Sequence, residues 1–144
     1  MRTTWALVGL AAALAGAGCA RNETTVPAEA GEGRVVDGST LFEVKETKFE
    51  SGSKTPFTGA VVRRYPSGQK KAEIWYRDGV QDGMQTSWYE NGQKKSEHGY
   101  RYGVPVGTWR SWYENGQLAE EIENRDGVEV SRQDWDEKGN PIQR

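Results

Sequence analysis

The chain has little of what most metal and catalytic sites are built from. Its 144 residues include one cysteine, one histidine and two methionines. No Cys/His cluster spells out a zinc site. His98 is alone, and it stands where parallel segments of the chain carry Ile74 and Ile122, so it reads as a half-exposed sheet residue. Neither a Gly-x-Ser-x-Gly nucleophile elbow nor a glycine-rich phosphate loop opening a helix is present. Positive charge is not in excess, with 19 basic and 21 acidic side chains, which argues against a nucleic-acid binder. Large aliphatics are scarce too. After residue 18 only Leu41, Leu118, Ile74, Ile122 and Ile142 remain, too few for a conventional two-layer core.

One long apolar run exists, from Trp5 to Gly18, preceded by Arg2 and followed by Cys19. A single positive charge ahead of roughly 14 apolar or small residues predicts a secretory signal over 1–18, too short to span a bilayer. The small residues Gly16-Ala17-Gly18 before Cys19 resemble the lipobox of bacterial lipoproteins, with Gly16 where leucine is usual. That resemblance implies acylation of Cys19 and a membrane anchor. Ala20 beside it implies the outer membrane, with the protein facing the periplasm or the cell surface. The other reading is an ordinary cleavage after Ala17, leaving Cys19 as a lone thiol. Residues 19–39 are polar, aperiodic and rich in Ala, Glu and Gly, the composition of a flexible tether.

What the chain does have is a 24-residue period. Copies begin near Gly59, Gly83 and Gly107, spanning 59–82, 83–106 and 107–130, with a partial copy over 131–144. Whole columns recur: Tyr65, Tyr89 and Tyr113; Gly68, Gly92 and Gly116; Glu73, Glu97 and Glu121; Arg77, Arg101 and Arg125; Gly79, Gly103 and Gly127. Self-similarity of this kind marks one supersecondary unit stacked several times. All six tyrosines and five of the six tryptophans fall between Tyr65 and Trp135. No helical period appears after residue 40.

Each copy reads as a β-hairpin. Asn91-Gly92 and Asn115-Gly116 predict two-residue type I′ turns, and Gly79, Gly103 and Gly127 a second turn joining one hairpin to the next. The expected fold is all-β: a single-layer antiparallel meander of seven or eight strands over 40–144, with residues 40–54 as a divergent leading hairpin capping the sheet edge. Two-residue loops would set Tyr89 opposite Lys94, Ser87 opposite Ser96, Gln85 opposite His98 and Gly83 opposite Tyr100. Alternation then places Tyr76, Tyr89, Tyr100, Trp109 and Tyr113 on one aromatic-aliphatic face. The charge columns and Trp75, Trp88 and Trp112 fall on the other.

The segment Tyr-Glu-Asn-Gly-Gln-Lys-Lys-Ser-Glu, then Tyr-x-x-Gly, with Thr55-Pro56-Phe57-Thr58-Gly59 ahead of the first copy, resembles the bacterial MORN-repeat variant. That family is often labelled a YwqK-type antitoxin of toxin–antitoxin systems. The resemblance covers about residues 55–140 and implies a hairpin array and, through its label, an antitoxin or immunity role.

The glutamate column could suggest paired carboxylates of a glycoside hydrolase. Its repetition with Arg77, Arg101 and Arg125 favours solvated cross-strand ion pairs instead. The expectation is therefore a non-catalytic, lipid-anchored envelope protein without cofactor or metal. Its sheet would bind a protein or cell-wall component through Tyr76, Tyr89, Tyr100, Trp109 and Tyr113, because exposed aromatic patches mark interaction sites. Antitoxin is the alternative, and an envelope hydrolase a remote one.

Overall fold

A computed structural model describes residues 34–44 and 47–143. The predicted signal, Cys19 and most of the tether lie outside the described residues. Among the described residues eleven strands and one 3₁₀ turn follow one another: β1 (Arg34–Asp37), the turn Gly38–Thr40, β2 (Leu41–Val44), β3 (Thr47–Glu50), β4 (Gly59–Arg64), β5 (Lys70–Arg77), β6 (Val80–Trp88), β7 (Lys94–Arg101), β8 (Val104–Trp112), β9 (Leu118–Arg125), β10 (Val128–Trp135) and β11 (Pro141–Ile142). Nine form one open sheet in the order β1-β4-β5-β6-β7-β8-β9-β10-β11, and β2 pairs β3 in a separate hairpin. From β4 onward the sheet is the expected antiparallel meander.

The N-terminal end differs from expectation in two ways. The edge strand is β1, inside the stretch read as tether, and it runs parallel to β4. The β2–β3 hairpin does not extend the sheet edge. It sits over the Gly79 turn that joins the first hairpin to the second, where Lys48 N–H donates to the Gly79 carbonyl at 2.9 Å and Phe57 N–H to the Lys48 carbonyl at 2.9 Å. Polar composition hid β1, because four residues suffice for an edge strand that borrows its register from β4.

Turn chemistry is distributed otherwise than Asn-Gly suggests. In the tight turn of each hairpin only the glycine has positive φ: 88° at Gly68, 87° at Gly92, 85° at Gly116. Gly92 N–H donates to the Tyr89 carbonyl at 3.0 Å and Tyr89 N–H to the Gln93 carbonyl at 2.8 Å. This is a type I turn over Glu90-Asn91, followed by a left-handed glycine that forms a bulge. The Asn91 side chain accepts from Gln93 N–H at 2.9 Å, and Asn115 from Gln117 N–H at 2.9 Å. That local bond replaces the positive φ a type I′ turn would require of asparagine. Ladder pairing jumps between Ser87 and Trp88, so Lys94 faces Trp88 rather than Tyr89. The pairs Ser87/Ser96, Gln85/His98 and Gly83/Tyr100 stand as expected.

The type I′ geometry is found at the other turns. Asp78-Gly79 has φ of 49° and 78°, Tyr102-Gly103 50° and 78°, Asp126-Gly127 50° and 81°. These join strands directly, with Arg77 opposite Val80, Arg101 opposite Val104 and Arg125 opposite Val128.

The core is concentrated at one end. Phe57, Ala60, Val61, Val62 and Ile74 are buried, and among the described residues Val106, Ile122 and Asn124 join them further along, with Gly83 and Gly99. Four consecutive buried residues in β4, Gly59 to Val62, mean that both its faces are covered, as in a strand inside a layered core. Val61 lies under the 3₁₀ turn, its Cγ1 3.5 Å from where a Gly38 Cβ would stand. By contrast β10 is exposed from Val128 to Gln133.

Candidate functional site

The tyrosine column forms the joints of the array. Tyr65 hydroxyl donates to the Trp88 carbonyl at 2.8 Å, Tyr89 to Trp112 at 2.8 Å and Tyr113 to Trp135 at 2.9 Å. Each bond ties one hairpin to the next, and each is worth about 1 kcal/mol by the usual net value. Asn91 Nδ2 repeats the device toward the Glu114 carbonyl at 3.2 Å, and Asn115 toward Glu137 at 2.9 Å. Lysines pack over the rings: Lys71 over Tyr65 at 5.4 Å, Lys95 over Tyr89 at 5.4 Å, Lys70 over Trp88 at 5.2 Å and Lys94 over Trp112 at 5.5 Å. Desolvation and the nearby Glu114 carboxylate raise the Tyr89 pKa above the ordinary phenol value.

Tyr100 and Trp109 are brought together, with ring centroids 5.1 Å apart. His98 stacks on Trp109 at 4.5 Å, and Trp109 Nε1–H donates to the Gly99 carbonyl at 2.9 Å. Cross-strand pairing builds this row: Val61 opposite Ile74, Ile74 opposite Gln85, Gln85 opposite His98, and Trp109 opposite Ile122. Burial lowers the His98 pKa and raises that of Tyr100. Tyr76 is apart from the cluster, edge-on to Phe57 at 6.4 Å. The five expected aromatics therefore divide into a cluster (Tyr100, Trp109), a core contact (Tyr76) and two joints (Tyr89, Tyr113).

The glutamates do not pair with the arginine column. Glu73 binds Lys70 at 2.5 Å, Glu97 binds Lys94, and Glu121 binds Arg110 at 2.7 Å. Arg77 instead reaches Asp82 at 3.4 Å and Arg125 reaches Glu123 at 2.6 Å. Across the sheet the glutamates stand opposite Val62, Thr86, Arg110 and Gln133 and never opposite Arg77, Arg101 or Arg125, so the cross-strand pair that forms is Glu121 with Arg110. Among the described residues, no three His, Cys, Asp or Glu side chains are grouped to hold a metal ion.

One exposed aromatic escaped the sequence reading. Tyr102 is 66% exposed and holds φ of 50°, in the column that elsewhere carries Asp78 and Asp126. An aromatic in the left-handed region is rare. Its departure from the aspartate column was the available signal.

Stacked hairpins joined by these side-chain bonds define an open β-hairpin repeat protein. Within it, residues 81–102 and 105–123 match the family model of the MORN repeat variant, which takes in most of the second copy and much of the third. No curated protein and no solved structure matches the chain.

Proposed function

We propose that this is a non-catalytic repeat protein of the cell envelope, held by a lipid on Cys19, whose sheet binds a protein or cell-wall component. The reading is carried by the Tyr100–Trp109–His98 cluster, an aromatic group in mid-array on a half-covered sheet. Rigid aromatics are the usual anchors of interfaces. Side chains that close the joints, Tyr89 and Tyr113, contribute to it by holding adjacent hairpins in register. Trp109→Ala should weaken partner capture from envelope extracts by about 1–3 kcal/mol, while Arg101→Gln leaves it unchanged. Equal capture by a folded Trp109→Ala protein contradicts the assignment.

The anchor rests on the sequence before Cys19. Cys19→Ser should move the protein from the membrane to the soluble envelope fraction, and continued membrane partitioning would sink that part. An antitoxin or immunity role is the second reading, and it rests only on the label carried by the sequence resemblance over about residues 55–140. Co-purification with a small toxin encoded beside it is the outcome that would select it.

A further inference from the structure

Charge is segregated along the array. Residues 59–82 carry five basic and three acidic side chains, whereas residues 107–130 carry two and six. At the first hairpin Arg63, Arg64 and Lys71 border an open concavity with Gly38 and Ser39, and Asp37 is the one acid beside them. None of the three cations forms an ion pair among the described residues. Arg64 donates to the Gly68 carbonyl at 3.0 Å, and the Arg63 stem lies against Gly38. The corresponding positions of the next copies hold Ser87 and Trp88, then Ser111 and Trp112. Arginine at 63 and 64 is thus not required by the hairpin.

The opposite end is acidic by a smaller margin, with four acidic and three basic side chains over residues 128–144. Arg132 is surrounded by Glu120, Glu129 and Asp134, while Asp126 and Glu137 make no ion pair among the described residues. Both terminal strands also leave aliphatics in water. Val35 on β1 is 63% exposed, and Val128 and Val130 on β10 are 62% and 47% exposed. Among the described strands β1 has no neighbour beyond it, and β11 covers only Asp134 and Trp135 of β10.

We propose that copies of this chain associate head to tail, the basic β1–β4 end of one copy meeting the acidic β10–β11 end of the next. Like ends repel at contact and unlike ends attract, so charge selects the heterologous arrangement over a two-fold dimer. Apolar Val35 and Val128 lose water in the same contact. Such a contact repeats, giving short linear assemblies whose length follows concentration. It is weakened by salt, because the screening length falls to about 3 Å at 1 M.

The test is sedimentation velocity of the full chain in a mild nonionic detergent. One variant removes the head charge (Arg63→Gln, Arg64→Gln, Lys71→Gln) and another the tail charge (Asp126→Asn, Glu129→Gln, Glu137→Gln). Every substituted side chain is exposed, and circular dichroism verifies each fold. Wild type should form dimers and longer species at low salt and revert to monomer at high salt. Each variant alone should be monomeric, with association at least about tenfold weaker. An equimolar mixture of the two should give a dimer and nothing larger, since one intact head and one intact tail remain. Arg63→Lys with Arg64→Lys should associate like wild type. Monomeric wild type at low salt, self-association of either variant, or a mixture that stays monomeric would overturn the proposal.

Discussion

The first and last hairpins are made from the same repeat and end in opposite states. In the first, β4 is buried on both faces between Phe57, the 3₁₀ turn and its neighbours, and the β2–β3 hairpin closes over the turn at Gly79. In the last, β10 is exposed from Val128 to Gln133 and, on the side away from β9, meets among the described residues only a two-residue β11. A repeat cannot bury its own apolar positions; a following unit must do it. The valine after each connecting turn shows this. Val80, 3.4 Å from the Cβ position of Gly103, is half-buried; Val104, 2.9 Å from that of Gly127, is still 41% exposed; and Val128, with no full hairpin beyond it, is 62% exposed.

The largest expected effect separates the two ends directly. Ile74→Ala removes a buried side chain beside β4 and should cost about 3 kcal/mol, within the range for such truncations. Val128→Ala should stay within about 0.5 kcal/mol, as exposed substitutions do. Chemical denaturation measures both, and equal losses would break the comparison.

Two glycines sharpen it further. A Cβ on Gly79 would stand 2.8 Å from the Lys48 carbonyl oxygen, whereas one on Gly92 meets nothing within 4 Å. Both have positive φ, so both replacements carry a backbone cost of about 1–2 kcal/mol. Gly79→Ala should lose clearly more, because it also drives the capping hairpin off the turn. If Gly92→Ala is the more damaging, the cap is not what stabilises the first hairpin.

A smaller effect tests the middle of the array. Burial holds the folded His98 pKa below the ordinary value, so protonation favours the unfolded chain. Stability from this residue should be complete above the unfolded value of about 6.5 and fall as pH drops through it toward the folded value. His98→Ile, the residue of the other copies, should flatten thermal stability between about pH 7 and 5. An unchanged slope would mean that other groups carry the dependence.

The sequence carried the hairpin array because the 24-residue period repeats glycine, tyrosine and glutamate in fixed columns. It carried the pairing of Gln85 with His98 for the same reason. The Asn-Gly pairs do not determine the turn type, because Asn-Gly serves two geometries. Pro66, in the column of Glu90 and Glu114, suits the first central position of a type I turn and was the readable correction. The joint role of Tyr89 and Tyr113 was hidden, since alternation gives a face but not the backbone carbonyl a hydroxyl will find. β1 was hidden as well, because its register comes from β4 and not from its own four residues.

Native-state hydrogen exchange tests the account most directly, because it reads stability strand by strand. Amides of β4 and β5 should exchange only through global unfolding. Those along β10 should exchange at least roughly 100-fold faster, about 2.8 kcal/mol below the global value. Uniform protection along the array, or slower exchange in β10 than in β4, would contradict an array held from its capped end.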